Sequence, residues 1–90
     1  MPTIHLLIKG KVQGVCYRAS AKDQADRLSL TGWVRNTREG HVEITATGEP
    51  TALQQFTTWC RQGPDHAVVT SVETQNLPEK SFPSFNILRG

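Results

Sequence analysis

Two glycines separate a segment with strand spacing from one with helix spacing, and this junction restricts the fold more than any other feature of the chain. Before Gly10, apolar residues recur at every second position of Ile4–Ile8, the period of a strand with one buried face. After Gly14, apolar residues at i, i+4 and i+7 predict a helix within Ala19–Leu30. Glycine adopts backbone angles that other residues avoid, so we expect a tight loop between strand and helix.

The loop sequence GKVQGVCYR, from Gly10 to Arg18, has the features of a seat for an oxyanion, and phosphate fits it best. Its backbone amides and the positive end of the following helix dipole favour an anion, and the Arg18 guanidinium offers a planar fork of donors. The signal is weaker than that of a Walker loop, because no Gly-Lys-Ser/Thr ending is present to hold a nucleotide and its metal. The predicted phosphate-binding residues are Gln13, Gly14, Val15, Cys16, Tyr17 and Arg18.

The rest of the chain alternates strands and helices. Gly32 is interpreted as the end of the first helix. We predict strands at Trp33–Thr37, Val42–Thr47, Ala67–Thr74 and Phe85–Leu88, a hairpin turn at Thr37–Gly40, and a second helix from Pro50 to Gly63. The strand Val42–Thr47 alternates apolar residues with Glu43, Thr45 and Thr47, so one face is expected to be wet. The large aromatic residues Trp33, Phe56 and Trp59 are assigned to the core.

This order predicts one α+β domain, residues 1–90, with the ferredoxin-like split βαββαβ arrangement and a short extra C-terminal strand. Two helices are expected on one face of an antiparallel sheet, with the last strand at an edge. Right-handed crossovers bring the C-terminal ends of the first two strands to the same edge. We therefore expect Arg18 and Asn36 to lie near each other.

Composition limits the partners and the compartment. The net charge of +2 and pI of about 8.8 are too mild and too dispersed for a nucleic-acid surface, but they suit a small anionic substrate. No apolar run is long enough to span a membrane, and the first residues lack the charged region and apolar core of a signal peptide, so we expect a cytoplasmic protein. We also expect a monomer. The thiols of Cys16 and Cys60 are expected to be reduced there, with a disulfide between them left open as the less favoured state.

A second run, GWVRNTREGHV from Gly32 to Val42, continues to Gly48. Together the two runs resemble the acylphosphatase family. The first is similar to its Gly-x-Val-Gln-Gly-Val-x-aromatic-Arg loop, and the second to its Gly-aromatic-Val-basic-Asn-xxx-Gly-x-Val-xxxxx-Gly signature. The resemblance extends over nearly the whole chain. Two positions depart from the family: Tyr17 stands where Phe is usual, and Cys16 stands where Gly or a large apolar residue is common.

The resemblance implies hydrolysis of the carboxyl–phosphate bond of acyl phosphates to a carboxylate and inorganic phosphate. It implies that Arg18 binds phosphate and that Asn36 positions the attacking water. The residue types agree, because a guanidinium suits phosphate oxygens and a carboxamide both donates and accepts hydrogen bonds. Inorganic phosphate, as a product that fits the same seat, is expected to inhibit.

The residues favour a mechanism with no metal, cofactor or covalent intermediate. The position five residues after Cys16 is Ala21, not the Arg of thiol phosphatases, and no Asp-x-Asp pair is present. The histidines His5, His41 and His66 are scattered, without metal-ligand spacing.

Three other functions fit the sequence less well. An acylphosphatase-like accessory domain, as at the start of hydrogenase-maturation carbamoyltransferases, predicts a much longer chain. An RNA-binding domain of similar fold needs paired aromatic residues on the central strands, where this chain places Glu43 and Thr45. A copper chaperone needs a Cys-x-x-Cys pair, which is missing.

Overall fold

The protein, described here by a computed structural model of residues 1–89, folds into one five-stranded sheet and two helices. The elements are β1 (Thr3–Lys11), α1 (Tyr17–Arg27), β2 (Thr31–Asn36), β3 (Val42–Thr47), α2 (Pro50–Gln62), β4 (Val68–Leu77) and β5 (Phe85–Ile87). Gly90, the last residue of the predicted domain, lies outside the described residues. The predicted ferredoxin-like α+β order is confirmed, including the short strand at its end.

The strand order is β4-β1-β3-β2-β5. The first four strands pair antiparallel, as predicted, but β5 runs parallel to β2, so the sheet is mixed. The expected edge position of the last strand is confirmed. Strand β4 runs opposite to β2, and the chain reverses direction between β4 and β5. As a result, β5 runs parallel to β2.

One face of the sheet carries the core. Small residues of α1 and larger apolar residues of α2 pack against alternate residues of the central strands. The fully buried members include Ala21, Ala25, Phe56, Cys60, Leu6, Ile8, Val34 and Ile44. Because both helices use this face, the opposite face is left mainly to polar side chains.

The first helix ends earlier than predicted. It stops at Arg27, and Ser29 turns the chain with a φ of 58°. Gly32 is therefore not a helix stop, and that prediction is wrong. It lies inside β2 with a φ of 138°, where an added Cβ would overlap the Thr45 carbonyl oxygen of β3. Glycine is needed there for close approach of two strands.

The open face of the sheet corrects two further expectations. Trp33 is only half-buried and lies on this face, opposite Thr45, rather than in the core; its ring centroid is 5.8 Å from the Arg35 guanidinium. The face was expected to be wet along β3, but Thr45 and Thr47 are buried. The backbone of Lys80 covers Thr47 and accepts its hydroxyl at 2.8 Å.

Candidate active site

An open cleft of about 600 Å³ lies at the sheet edge where β1 and β2 end. Both strands pair antiparallel with β3, so their C-terminal ends meet at that edge. The structure brings Arg18 and Asn36 to this one cleft. Its lining is Val12, Gly14, Cys16, Tyr17, Arg18, Ala19, Asn36, Ile87 and Arg89.

The loop that forms one wall reaches the helix through left-handed backbone. Gly14 has a φ of 76°, and Cys16, the residue before α1, has a φ of 63°. An added Cβ on Gly14 meets nothing within 4 Å, so the backbone angle and not space requires glycine there. No side chain of residues 1–89 caps the helix, and its first turn has no acidic residue. The amides at this N-terminus are thus available to an anion.

Arg18 is the second residue of α1 and is half-buried. No carboxylate of the described chain lies within ion-pair distance of its guanidinium. A cation at a helix N-terminus is disfavoured by the helix dipole. The position therefore favours a site in which Arg18 and the helix end face a common anion.

Asn36, the last residue of β2, contributes the opposite wall. Its Oδ1 is buried and has no hydrogen-bond partner among residues 1–89. Most buried polar atoms in proteins are paired, so an unpaired acceptor on a residue that lines a cleft is an exception of the kind found at functional sites.

Arg89 is a cleft residue that the sequence analysis missed. The β2–β5 register pairs Val34 with Ile87, and the Leu88 amide donates to the Val34 carbonyl at 2.8 Å. Continuing this register carries Arg89 toward the Asn36 end of β2. The only signal in the sequence is an arginine just after a short apolar run, and nothing there predicts parallel pairing with β2.

The six residues predicted to bind phosphate do not all point into the cleft. Gly14, Cys16, Tyr17 and Arg18 are in its lining. The Val15 side chain packs against the core. The Gln13 side chain instead reaches the β2–β3 turn and lines a neighbouring groove.

Tyr17 anchors the start of α1 to the end of α2. Its ring is fully buried, and its hydroxyl donates to the Cys60 carbonyl at 2.7 Å. Burial, with the Cys60 thiol beside it, raises the pKa of Tyr17, so the hydroxyl stays protonated and keeps this bond. Burial also raises the pKa of the Cys60 thiol to about 12. Both cysteines are free, Cys16 exposed and Cys60 buried, so the disulfide alternative is absent from this structure.

The neighbouring groove, about 950 Å³, lies on the open face of the sheet, opposite the helices, and is also lined by Asn36. In its lining, Glu43 accepts a hydrogen bond from Arg35 Nε at 2.6 Å and pairs with the His5 ring at 2.7 Å. Burial alone raises the pKa of Glu43, but its bonds to His5 and Arg35 outweigh burial and lower the pKa overall.

The described chain has neither a cluster of metal-ligand side chains nor a helix of membrane-spanning length. No three His, Cys, Asp or Glu side chains of residues 1–89 are grouped where they could hold a metal ion. In the same range, neither helix has the length and apolar character needed to cross a bilayer.

Comparison with known proteins decides the family. The family model described as Acylphosphatase matches residues 4–87. The chain belongs to the acylphosphatase family. An acylphosphatase from Marinobacter nauticus is 57% identical over 74 residues, which cover 82% of this chain and 80% of that protein. An acylphosphatase from Methylococcus capsulatus is 43% identical over 90 residues, covering 99% of this chain and 98% of the relative.

The architecture agrees with acylphosphatases as well. The solved structure of an acylphosphatase from Coxiella burnetii superposes with a TM-score of 0.94 at 37% identity, covering 97% of this chain and 92% of that one. The resemblance inferred from the two motifs is therefore confirmed, and the acylphosphatase fold extends over nearly all of the chain.

Proposed function

We propose that this chain is an acylphosphatase that hydrolyses acyl phosphates to a carboxylate and inorganic phosphate. The observation that carries the proposal is the single cleft lined by both Arg18 and Asn36, in a member of the acylphosphatase family. The two residues come from separate motifs of the sequence. A common cleft gives them a common substrate.

The phosphoryl group occupies the turn before α1. The amides of Gln13–Arg18 and the Arg18 guanidinium bind its oxygens and stabilise the charge that shifts as the bond to the acyl oxygen breaks. The uncapped helix start supports this assignment. Arg89, which also lines the cleft, adds a second positive charge to it.

Asn36 orients the attacking water. Asn36 lines the cleft, and its carboxamide both donates and accepts hydrogen bonds, so it can hold a water with an oxygen lone pair directed at phosphorus. The water oxygen bonds to phosphorus as the P–O bond to the acyl group breaks, and the bond electrons leave on the carboxylate. A carboxamide is no base, so the water proton passes to a phosphoryl oxygen. A carboxylate is a good leaving group and needs no proton.

The proposed chemistry needs no metal ion, because the guanidinium and the amide N–H groups stabilise the negative charge on the phosphoryl oxygens. Chelation should therefore leave turnover unchanged. Inorganic phosphate occupies the same seat as the substrate phosphoryl group and should inhibit competitively.

Phosphate release from benzoyl phosphate, with p-nitrophenyl phosphate as the monoester control, tests the proposal. We expect far faster turnover of the first than of the second, since p-nitrophenoxide is a poorer leaving group than benzoate. The folded Arg18→Ala variant measures the background. Benzoyl phosphate hydrolysis equal in wild type and variant would overturn the assignment of the cleft.

A further inference from the structure

The phosphate loop and the hairpin that follows Asn36 are distant in sequence, and one side chain joins them. Gln13 Nε2 donates to the Thr37 carbonyl at 2.9 Å and to the His41 carbonyl at 2.9 Å. In the described chain, no other side-chain hydrogen bond connects residues 12–16 with residues 37–41.

The two acceptors close the turn between β2 and β3. The Thr37 amide donates to the His41 carbonyl at 2.9 Å, and the His41 amide donates to the Thr37 hydroxyl at 3.1 Å. The Gly40 amide donates to the Thr37 carbonyl at 3.3 Å. Gln13 is therefore a further hydrogen-bond donor to two carbonyls of a turn that begins one residue after Asn36.

The chemistry of the group suits this task. A carboxamide NH₂ has two hydrogens in one plane and can serve two carbonyls at once. A carboxylate of the same length has none, and a thioether of similar length has none. The backbone of Gln13 belongs to the phosphate loop while its side chain belongs to the hairpin, so any shift of one is resisted by the other.

We propose that Gln13 is a positioning residue: its amide holds the β2–β3 turn, and with it Asn36, at a fixed distance from the phosphate loop. This inference rests on the proposed function, in which Asn36 orients the water. A displacement of about 1 Å in an aligned reacting group costs up to about a hundredfold in rate. Gln13 thus acts on the chemical step through Asn36 while its own side chain stays outside the cleft.

The first experiment separates turnover from phosphate binding. Gln13→Met removes both donors at similar length, and Gln13→Glu places a carboxylate against two carbonyls. We expect kcat for benzoyl phosphate to fall about tenfold in Gln13→Met and further in Gln13→Glu, with the inhibition constant of inorganic phosphate changed less than about twofold. Gln55→Met, at an exposed position of α2, is the matched control and should behave as wild type.

The second experiment tests whether Gln13 works through Asn36. In an Asn36→Ala background, Gln13→Met should lower kcat by less than about twofold, because the group it positions is gone. A full, independent loss in the double variant would overturn the inference. So would weaker phosphate inhibition with kcat unchanged, which would assign Gln13 to the phosphate loop alone.

The two levels of the argument fail separately. An Asn36→Ala protein with normal kcat would remove the water-orienting role from the proposed function, whatever Gln13 does. If Gln13→Met does not fold, Gln13→Asn gives the same readout, because it keeps the amide but is one carbon too short to reach both carbonyls. Normal kcat in folded Gln13→Asn would contradict the inference.

Discussion

The two ends of β3 treat buried polar atoms in opposite ways. At the far end from the cleft, the hydroxyls of Thr3 and Thr47 lie 2.6 Å apart, and the Lys80 backbone donates to the first at 2.9 Å and accepts from the second at 2.8 Å. At the cleft end, Asn36 pairs with Val42 along the sheet, and its buried Oδ1 has no partner within residues 1–89.

The difference separates groups that stabilise the fold from groups that await a ligand. A paired buried hydroxyl contributes about 1 kcal/mol, and leaving its partner unpaired costs about 1–3 kcal/mol. The cleft end adds a non-glycine residue, Cys16, in left-handed backbone, which is also unfavourable. Substitutions at the far end should therefore change stability, and those at the cleft end should change activity.

Arg18→Ala tests this division with the largest expected effect. We expect kcat/KM for benzoyl phosphate to fall about a thousandfold, because the fixed cation facing the phosphoryl oxygens is lost. The free energy of unfolding should change by less than about 1 kcal/mol, since a cation at a helix N-terminus is not stabilising. Steady-state kinetics and urea unfolding measure the two.

Arg27→Ala, at the other end of the same helix, is the control and should retain full activity. Arg18→Lys should recover little, because a point charge does not replace a bidentate fork. Near-normal turnover by folded Arg18→Ala would contradict the proposed difference between the cleft end of β3 and its far end.

Asn36→Ala comes next in size. We expect kcat to fall about a hundredfold, with the phosphate inhibition constant nearly unchanged, because Asn36 acts on water and not on phosphate. Competitive inhibition by phosphate in the variant is the deciding measurement. Weakened phosphate binding with unchanged kcat would show that the roles of Arg18 and Asn36 are wrongly assigned.

Thr47→Val, at the end of β3 far from the cleft, should lower stability and leave activity unchanged. The substitution keeps the shape but removes the 2.8 Å donor of the Lys80 carbonyl and leaves it only the Thr3 hydroxyl at 3.4 Å, so we expect about 1–2 kcal/mol of lost stability and unchanged kcat. Thr74→Val, at an exposed position of β4, is the matched control. Loss of activity without loss of stability would contradict the comparison.

Cys16→Gly should have a small effect. Glycine relieves the left-handed backbone at a φ of 63° but makes the unfolded chain more flexible, so the two contributions oppose each other and the net change should stay within about 1 kcal/mol. Activity should remain, because no step uses sulfur. An inactive but folded Cys16→Gly protein would mean that the thiol takes part in the chemistry.

Glu43→Gln should give the smallest effect, present at neutral pH and lost in acid. The folded-state pKa of Glu43 lies below its unfolded value, so wild type binds fewer protons when folded and loses this stabilisation as the pH falls from about 5 through the folded pKa. The loss should be under about 1 kcal/mol. The midpoint temperature of thermal unfolding should therefore fall less steeply between pH 7 and pH 3 in Glu43→Gln than in wild type. If the two midpoint temperatures fall in parallel, Glu43 makes no such contribution.

The order of elements could be read from the sequence because apolar periods and glycines mark each change, and from that order the convergence of Arg18 and Asn36 follows. The parallel pairing of β5 could not, because three residues, Phe85–Ile87, carry no register information. Gly32 was misassigned because close approach of strands and helix termination both select glycine. The Gln13 bridge was missed because its acceptors are main-chain carbonyls, which no residue pattern reveals.

The cleft draws its lining from the loop before α1, from the end of β2 and from the residues after β5. Such a site has no counterpart in an unfolded chain, because its parts meet only when distant strands have paired. Phosphate should then slow unfolding while leaving the refolding rate in water unchanged, provided the C-terminal strand docks after the rate-limiting step. The ligand would stabilise the native state kinetically: it would lengthen the lifetime of the folded protein without accelerating folding.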